Sequence, residues 1–161
     1  YDLDKLVELG NKVVKNLKTM GMSLKACTVF TTGKESFEIA DDEVEIGLGI
    51  HGEPGTHREK MATANEFTEK LFEKIYAESN AQKGDRFAVL VNGLGETTLI
   101  ELFIINNHLQ DLLKAKGVEV AKTLVGNYMT SLDMGGFSIT LLKLDKEMEE
   151  LLNAEEDTIA F

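Results

Sequence analysis

The chain has 161 residues, 43% of them hydrophobic, which suits one globular domain with an apolar core. Its 28 acidic and 17 basic side chains give a net charge of −11, which argues against nucleic acid as a partner because phosphates would be repelled. No apolar run approaches the roughly 20 residues that a membrane span needs, and we expect no signal peptide. The single cysteine, Cys27, allows no disulfide within one chain, which indicates a reducing compartment. We therefore expect a single domain over residues 1–161 in the cytoplasm, with neither nucleic acid nor a membrane as partner.

Helical and strand patterns alternate along most of the chain. In chain order the predicted elements are a helix over 2–20, strands over 24–31 and 44–50, a helix over 56–79, a strand over 86–92, a helix over 99–116, strands over 118–128 and 137–143, and a helix over 145–152. This order predicts an α/β fold, a layered mixed β-sheet flanked by helices.

Local signals set the expected ends of the helices. Gly21 is expected to end the first helix. Thr56 and Glu59 have the spacing of a capping box and predict the start of the second helix, and Thr98 and Glu101 do the same for the third.

Three loops, each directly after a predicted strand, carry the candidate functional residues. They cover 51–55, 92–97 and 130–136. In open α/β sheets, ligands bind beyond the carboxyl ends of strands. If the three strands are parallel, the three loops should meet at one edge of the sheet.

The first of these loops has the sequence His51-Gly52-Glu53-Pro54-Gly55, which contains the only proline of the chain. A histidine here can act as a nucleophile, a general base or a metal ligand, or it can simply cap the strand. The neighbouring glycines and the proline favour a functional role, because they fix the ring in place and leave space around it. Glu53 is a candidate for orienting the imidazole.

Other polar candidates are weaker. His57 and His108 are expected at the surface, and we expect no metal site, because zinc needs three or four converging ligands. Residues 92–98 resemble a phosphate loop before a helix but lack the Walker lysine, so a tight turn and a ligand-lining role are equally compatible with them. Asp133 can be a general base or a turn residue.

Three strings, in this order along the chain, resemble the substrate-binding subunit of the dihydroxyacetone kinase family. They are Gly47-Leu-Gly-Ile-His-Gly-Glu-Pro-Gly55, Val91-Asn-Gly-Leu-Gly95, and Thr130-Ser-Leu-Asp-Met134 leading into Phe137-Ser-Ile-Thr-Leu141. The resemblance covers essentially the whole chain but only the C-terminal half of that subunit. Together with a first residue that is not Met, this leads us to expect a fragment or a processed product.

The resemblance implies a site and a reaction. In the family, the histidine that matches His51 binds dihydroxyacetone covalently as a hemiaminal, for phosphoryl transfer that yields dihydroxyacetone phosphate. Gly52, Glu53, Gly93 and Gly95 are the expected site-lining residues. The residues that deprotonate the substrate belong to the N-terminal half in the family, so this chain alone is expected to be inactive.

The resemblance also implies partners. These are the N-terminal half of the same subunit, a second full-length subunit in a homodimer, and a nucleotide-binding subunit or domain that holds ATP or ADP with magnesium, so no cofactor is expected on this chain. The phosphate donor, ATP or a relay from phosphoenolpyruvate, stays open. One alternative is a non-catalytic paralogue that binds dihydroxyacetone and co-activates a transcriptional regulator. Another is an α/β module that only packs against a second domain.

Overall fold

The computed structural model describes residues 1–50 and 53–155. Its elements are α1 (Leu3–Asn16), β1 (Leu17–Lys25), β2 (Thr28–Val29), β3 (Lys34–Glu35), β4 (Glu43–Ile46), β5 (His57–Lys60), α2 (Ala64–Glu78), β6 (Arg86–Gly93), α3 (Leu99–Lys116), β7 (Glu119–Gly126), β8 (Gly135–Leu144) and α4 (Lys146–Leu152). Six strands form one sheet in the order β5-β4-β1-β8-β6-β7. Only β6 and β7 pair in parallel; the other neighbours are antiparallel. The predicted class, a layered mixed sheet flanked by helices, is confirmed. The prediction of a single domain stays a prediction.

One face of the sheet forms the main core with α2 and α3. Alternate residues of the central strands are fully buried there, and they pack against apolar side chains of the two helices: Phe87, Val89, Val91, Ile139, Leu141, Leu71, Phe72 and Leu109. The residues between them on β6 and β8 point to the opposite face because side chains alternate along a strand. That opposite face carries the pocket described below.

Helix α1 is shorter than predicted. It ends at Asn16, and the next nine residues form β1. The prediction that Gly21 ends the helix is wrong: Gly21 lies in the middle of β1, opposite Ser138 of β8. The apolar spacing is helical up to Leu17, but the long ladder with β8 outweighs that local preference.

Helix α1 lies on the periphery of the fold. None of its residues is buried. Lys5 forms an ion pair with Glu147, and Lys12 forms one with Asp145, both near the start of α4. Gly10, in the middle of the helix, has open space where a side chain would project.

Two predicted strands are also shorter in the structure. Of the expected strand over 24–31, residues 24 and 25 close β1, and 28 and 29 form β2, which pairs only with β3. The strand expected over 44–50 is β4, which ends at Ile46 because Gly47 adopts a left-handed backbone, φ 81°. Gly47 and Gly49 therefore belong to a loop and not to one face of a strand.

The predicted helix start at Thr56 is wrong. The sequence contains two capping-box patterns in succession, and the structure uses the second, in which the side chains of Thr63 and Glu66 cap α2. The first pattern lies at β5, which is paired with β4 so that Glu45 faces Arg58. Opposite charges on neighbouring strands favour this pairing.

The second half of the chain follows the predictions closely. β6, β7, β8 and α4 lie within two residues of their expected bounds. Glu101 accepts hydrogen bonds from the backbone and the hydroxyl of Thr98, and Gly117 ends α3 with φ 73°. Within residues 1–50 and 53–155, no helix is long and apolar enough to cross a membrane.

Candidate functional site

A concave pocket of about 470 Å³ lies on the sheet face opposite α2 and α3. Its described lining comes from β1, β6 and β8 and from the loops that follow β4, β6 and β7: Leu17, Thr19, Met20, Gly21, Gly47, Leu48, Gly49, Ile50, Thr56, Leu90, Asn92, Leu94, Met129, Ser138 and Thr140. None of these side chains is charged. The pocket therefore suits a small neutral ligand with hydroxyl or carbonyl groups better than a phosphate.

Residues 47–56, which we call the histidine loop, are held at both ends by short hydrogen bonds. Gly47 N donates to Gly21 O, and Thr56 N donates to Ile46 O, both at 2.7 Å. The N–H of Gly55 donates to Oε1 of Glu45, also at 2.7 Å. The two ends of the loop are thus fixed next to each other on the edge of β4.

The first residues of the histidine loop lie directly on the sheet. A Cβ at Gly21 would lie 3.1 Å from the carbonyl oxygen of Leu48, closer than ordinary packing allows. The glycine in the middle of β1 thus lets the loop approach the strand. Leu48, Gly49 and Ile50, which line the pocket, are the three residues before His51.

Two of the predicted site residues, His51 and Gly52, lie outside the described residues. Glu53 is exposed, and its backbone carbonyl accepts a hydrogen bond from Gly49 N at 3.3 Å. A Cβ at Gly49 would displace the carboxylate at the end of the exposed Glu53 side chain, so the two residues are in close contact. The predicted roles of His51, Gly52 and Glu53 stay predictions.

Gly93 and Gly95, also predicted site residues, lie in the segment that ends β6. A Cβ at Gly93 would collide with Oδ1 of Asn127, and one at Gly95, with φ 120°, would collide with the carbonyl of Leu132. Gly93 thus leaves room for the side chains of Asn127 and Leu102, and Gly95 permits close backbone packing. The described pocket lining includes their neighbour Leu94, and a site role for the glycines stays a prediction.

The three predicted loops approach one another for a reason other than parallel strands. β4 runs opposite in direction to β6, because both β1 and β6 are antiparallel to β8 and β4 is antiparallel to β1. Residues 48–50 instead lie against β1 at Gly21 and line the pocket together with Leu94 and Met129. The loops after β6 and before β8 are joined by a bridge between Gly95 and Met134.

Asn92, at the end of β6, organises the loop after β7. The residue is 2% exposed. Its Oδ1 accepts hydrogen bonds from the N–H groups of Tyr128 and Met129, both at 2.9 Å. Its Nδ2 donates to the carbonyl of Met129 at 2.8 Å and to Oγ of Ser138 at 3.4 Å. The amide thus positions this wall of the pocket and has little hydrogen-bonding capacity left for a ligand.

Asp133 tethers two loops in the structure. Its Oδ1 accepts a hydrogen bond from the N–H of Thr28 at 2.6 Å. This hydrogen bond, above all, holds the pKa of the Asp133 carboxyl below its ordinary value. A lowered pKa makes the carboxylate a weaker base. The geometry therefore favours a structural role for Asp133, as a residue that connects two loops, over a role as general base.

The two described histidines are hydrogen-bonded to carboxylates away from the pocket floor. Nε2 of His57 contacts Oε1 of Glu59, and Nε2 of His108 contacts Oε1 of Glu69, each at 2.8 Å. His57 is on the edge strand β5 and not at the start of a helix as predicted. Among residues 1–50 and 53–155, no three His, Cys, Asp or Glu side chains form a group that could hold a metal ion.

The sequence analysis missed the hydroxyl groups of the pocket. Thr19 and Thr140 lie across β1 and β8 with their oxygens 2.8 Å apart, and Ser138 lies two residues before Thr140. Hydroxyl residues at every second position of an otherwise apolar strand place polar groups on one face. The alternation of apolar and hydroxyl residues in Phe137-Ser-Ile-Thr-Leu141 could have predicted these hydroxyls on one face of β8.

The chain matches the Dak1 domain over residues 1–160 and belongs to that family. This confirms the resemblance that the three motifs indicated. The chain is 48% identical over 160 residues to the dihydroxyacetone-binding subunit DhaK of PTS-dependent dihydroxyacetone kinase 1 from Listeria innocua, a match that covers 99% of this chain and 49% of that protein.

Solved structures share the fold. The dihydroxyacetone kinase operon co-activator Dha-DhaQ is 36% identical with a TM-score of 0.88, and the match covers 96% of this chain and 48% of that chain. The dihydroxyacetone kinase of C. freundii, in complex with AMP-PNP and Mg²⁺, is 27% identical with a TM-score of 0.78, over 96% of this chain and 28% of that chain. The chain thus spans about half the length of the Listeria relative.

Proposed function

We propose that the pocket binds dihydroxyacetone and that His51 is its covalent anchor. One observation carries the proposal: the three residues before His51 line a pocket without a charged side chain among its described residues. Ile50 is joined to His51 by one peptide bond, and the ends of the histidine loop are fixed by hydrogen bonds. The Listeria relative named a dihydroxyacetone-binding subunit supports the choice of ligand.

The proposed step is the addition of an imidazole N–H across the ketone carbonyl. The lone pair of a neutral ring nitrogen forms a bond to the carbonyl carbon, the π electrons move to the oxygen, and that oxygen takes a proton while the ring loses one. The product is a hemiaminal, and no group leaves. Glycerol has no carbonyl and is excluded by chemistry. The adduct also fixes the ligand, so that one hydroxyl can be presented to a phosphoryl donor.

The proposed wider role is that of half of a kinase subunit. Catalysis would also need a counterpart of the half of the Listeria relative that lies outside the match, together with a nucleotide held by a partner subunit or domain. The C. freundii structure, which contains AMP-PNP and Mg²⁺, supports a nucleotide elsewhere in the full enzyme. We propose that this chain alone binds the ligand without turnover, that the full-length subunit forms a homodimer, and that the assembly works in the cytoplasm.

The test replaces His51 by Ala and measures the binding of dihydroxyacetone labelled with ¹³C at its carbonyl. The wild-type chain should convert the carbonyl resonance to that of a tetrahedral carbon, and H51A should abolish this signal. H108A is the matched control, since His108 is a hydrogen-bonded histidine on α3. A tetrahedral signal that survives in H51A would refute the covalent role, and a wild-type chain that does not bind would refute the proposed ligand.

A second candidate is a co-activator that binds dihydroxyacetone without phosphorylating it. The structural similarity of this chain to the co-activator Dha-DhaQ, with a TM-score of 0.88, supports this second candidate. Both candidates use the same pocket, so ligand binding does not separate them. The separating measurement is the formation of dihydroxyacetone phosphate by the subunit that carries this sequence, mixed with a nucleotide-binding subunit of the family. Product identifies a kinase, and binding without product identifies the co-activator.

A further inference from the structure

Four side chains form a hydrogen-bonded chain along the protein surface that begins at the pocket. Thr56 lines the pocket at the end of the histidine loop. Its Oγ1 lies 2.9 Å from Nδ1 of His57 and 3.1 Å from the carbonyl of Ile46. Nε2 of His57 contacts Oε1 of Glu59 at 2.8 Å, and the other carboxylate oxygen contacts the ammonium of Lys70.

The carboxylate at the outer end fixes the direction of the hydrogen bonds. Lys70 first, and then His57, hold the pKa of Glu59 below its ordinary value, so this group is ionised at neutral pH and only accepts. The Nε2 that faces it must therefore carry a proton. In the neutral ring Nδ1 is then bare, and the hydroxyl of Thr56 donates to it.

The hydroxyl proton of Thr56 is engaged in either charge state of His57. If the ring is protonated on both nitrogens, Nδ1 donates to Thr56 Oγ1, and the hydroxyl donates to the carbonyl of Ile46 instead. In both cases Thr56 keeps no proton for a ligand. What it offers to the pocket is a lone pair, which can accept a hydrogen bond but cannot give one.

We infer that Thr56 is a specificity-determining residue whose hydroxyl accepts a hydrogen bond from a hydroxyl group of the bound ligand. The inference rests on the proposed function and narrows its substrate class. The covalent anchor selects for a carbonyl, and Thr56 selects for a hydroxyl donor beside it, so the pocket takes hydroxyketones in preference to simple ketones. His57 and Glu59 act through Thr56 and are positioning residues.

The hydroxyl of Ser138, which also lines the pocket, can donate a hydrogen bond to a ligand. Ser138 Oγ accepts from Nδ2 of Asn92, which leaves its own proton for the pocket. Of these two lining hydroxyls, Thr56 is thus an acceptor and Ser138 a donor. A ligand with two hydroxyls can use both, whereas acetone has no hydroxyl to donate to Thr56 and offers only its carbonyl oxygen to Ser138.

The first experiment compares the affinities of dihydroxyacetone, hydroxyacetone and acetone in the wild-type chain, T56V and T56S. Valine matches the shape of threonine without the oxygen. T56V should weaken the two hydroxyketones about tenfold, the loss of one hydrogen bond, and leave acetone unchanged. T56S should restore the wild-type order. The matched control is T123V, which removes a threonine hydroxyl from β7, outside the pocket.

The outcomes separate this inference from the proposed function. If T56V weakens all three ketones equally, or leaves dihydroxyacetone unaffected, the assignment of Thr56 is overturned while the covalent anchor stands. If the wild-type chain binds none of the three, the proposed function fails and the inference fails with it.

A second measurement needs no ligand. The ¹⁵N chemical shifts of His57 in the free chain report which ring nitrogen carries the proton. The neutral ring should be protonated on Nε2, and T56V should shift Nδ1 because that nitrogen loses its donor. A neutral ring protonated on Nδ1 would reverse the hydrogen bond to Thr56 and overturn the acceptor assignment.

Discussion

Replacing Asn92 by Ala should destabilise the protein far more than an ordinary exposed asparagine replacement. The amide makes three hydrogen bonds of 2.8–2.9 Å to backbone groups of Tyr128 and Met129, and a longer one to Ser138. At about 1 kcal/mol for each of the three short bonds, N92A should lower the free energy of unfolding by about 3 kcal/mol. That is a large share of the stability of a single domain.

The assay for N92A is urea unfolding followed by circular dichroism, with the free energy taken from the linear extrapolation. The control is N153A, which removes an exposed asparagine with one local hydrogen bond at the end of α4 and should cost less than about 1 kcal/mol. Amide hydrogen exchange should also show lost protection at Tyr128 and Met129. If N92A costs no more than N153A, Asn92 does not organise this wall of the pocket.

Two further predictions concern the loops and the pH. G95A should destabilise the chain, because Gly95 has φ 120° and a Cβ there would lie 2.4 Å from a carbonyl oxygen. G10A, in open space on α1, should instead raise the free energy of unfolding by about 1 kcal/mol. If urea unfolding shows changes of the same sign for both variants, the backbone argument is contradicted. The carboxyl of Asp133 has a lowered pKa in the folded state, so its stabilising effect is present above the unfolded pKa of about 3.9 and is lost as the pH falls through the folded value. D133N should therefore flatten the loss of stability between neutral pH and pH values below about 4, and a profile that parallels the wild type would contradict the tether to Thr28.

The second half of the chain was predictable because its signals are local and agree with one another. The capping residues Thr98 and Glu101 and the left-handed Gly117 mark both ends of α3. The apolar run of β6 before it is buried or half-buried from Phe87 to its end, as expected of a strand inside a sheet. Where capping, periodicity and turn residues all indicate the same element, long-range contacts do not change the local structure.

The first half was less predictable because its elements depend on distant partners. The helical apolar spacing runs up to Leu17, and the ladder with β8 decides that the chain continues from there as a strand. The two successive capping-box patterns, at Thr56 and at Thr63, are equivalent in sequence, and the pairing of β5 with β4 decides which one starts the helix. Pairing partners some 120 residues away, as between Thr19 and Thr140, cannot be seen in a local window.

The sequence by itself determined the family, the α/β class and the loop that carries His51, because these depend on residue identity and local order. Tertiary structure decided what surrounds that loop. Gly21 lets Leu48, at the start of the histidine loop, approach β1, and Ile46 and Glu45 hold the other end of the loop by hydrogen bonds. The hydroxyls of the pocket come together only through the ladder of β1 and β8. The proposed covalent anchor lies in a short string, but the groups that would select its ligand come from strands far apart in the chain.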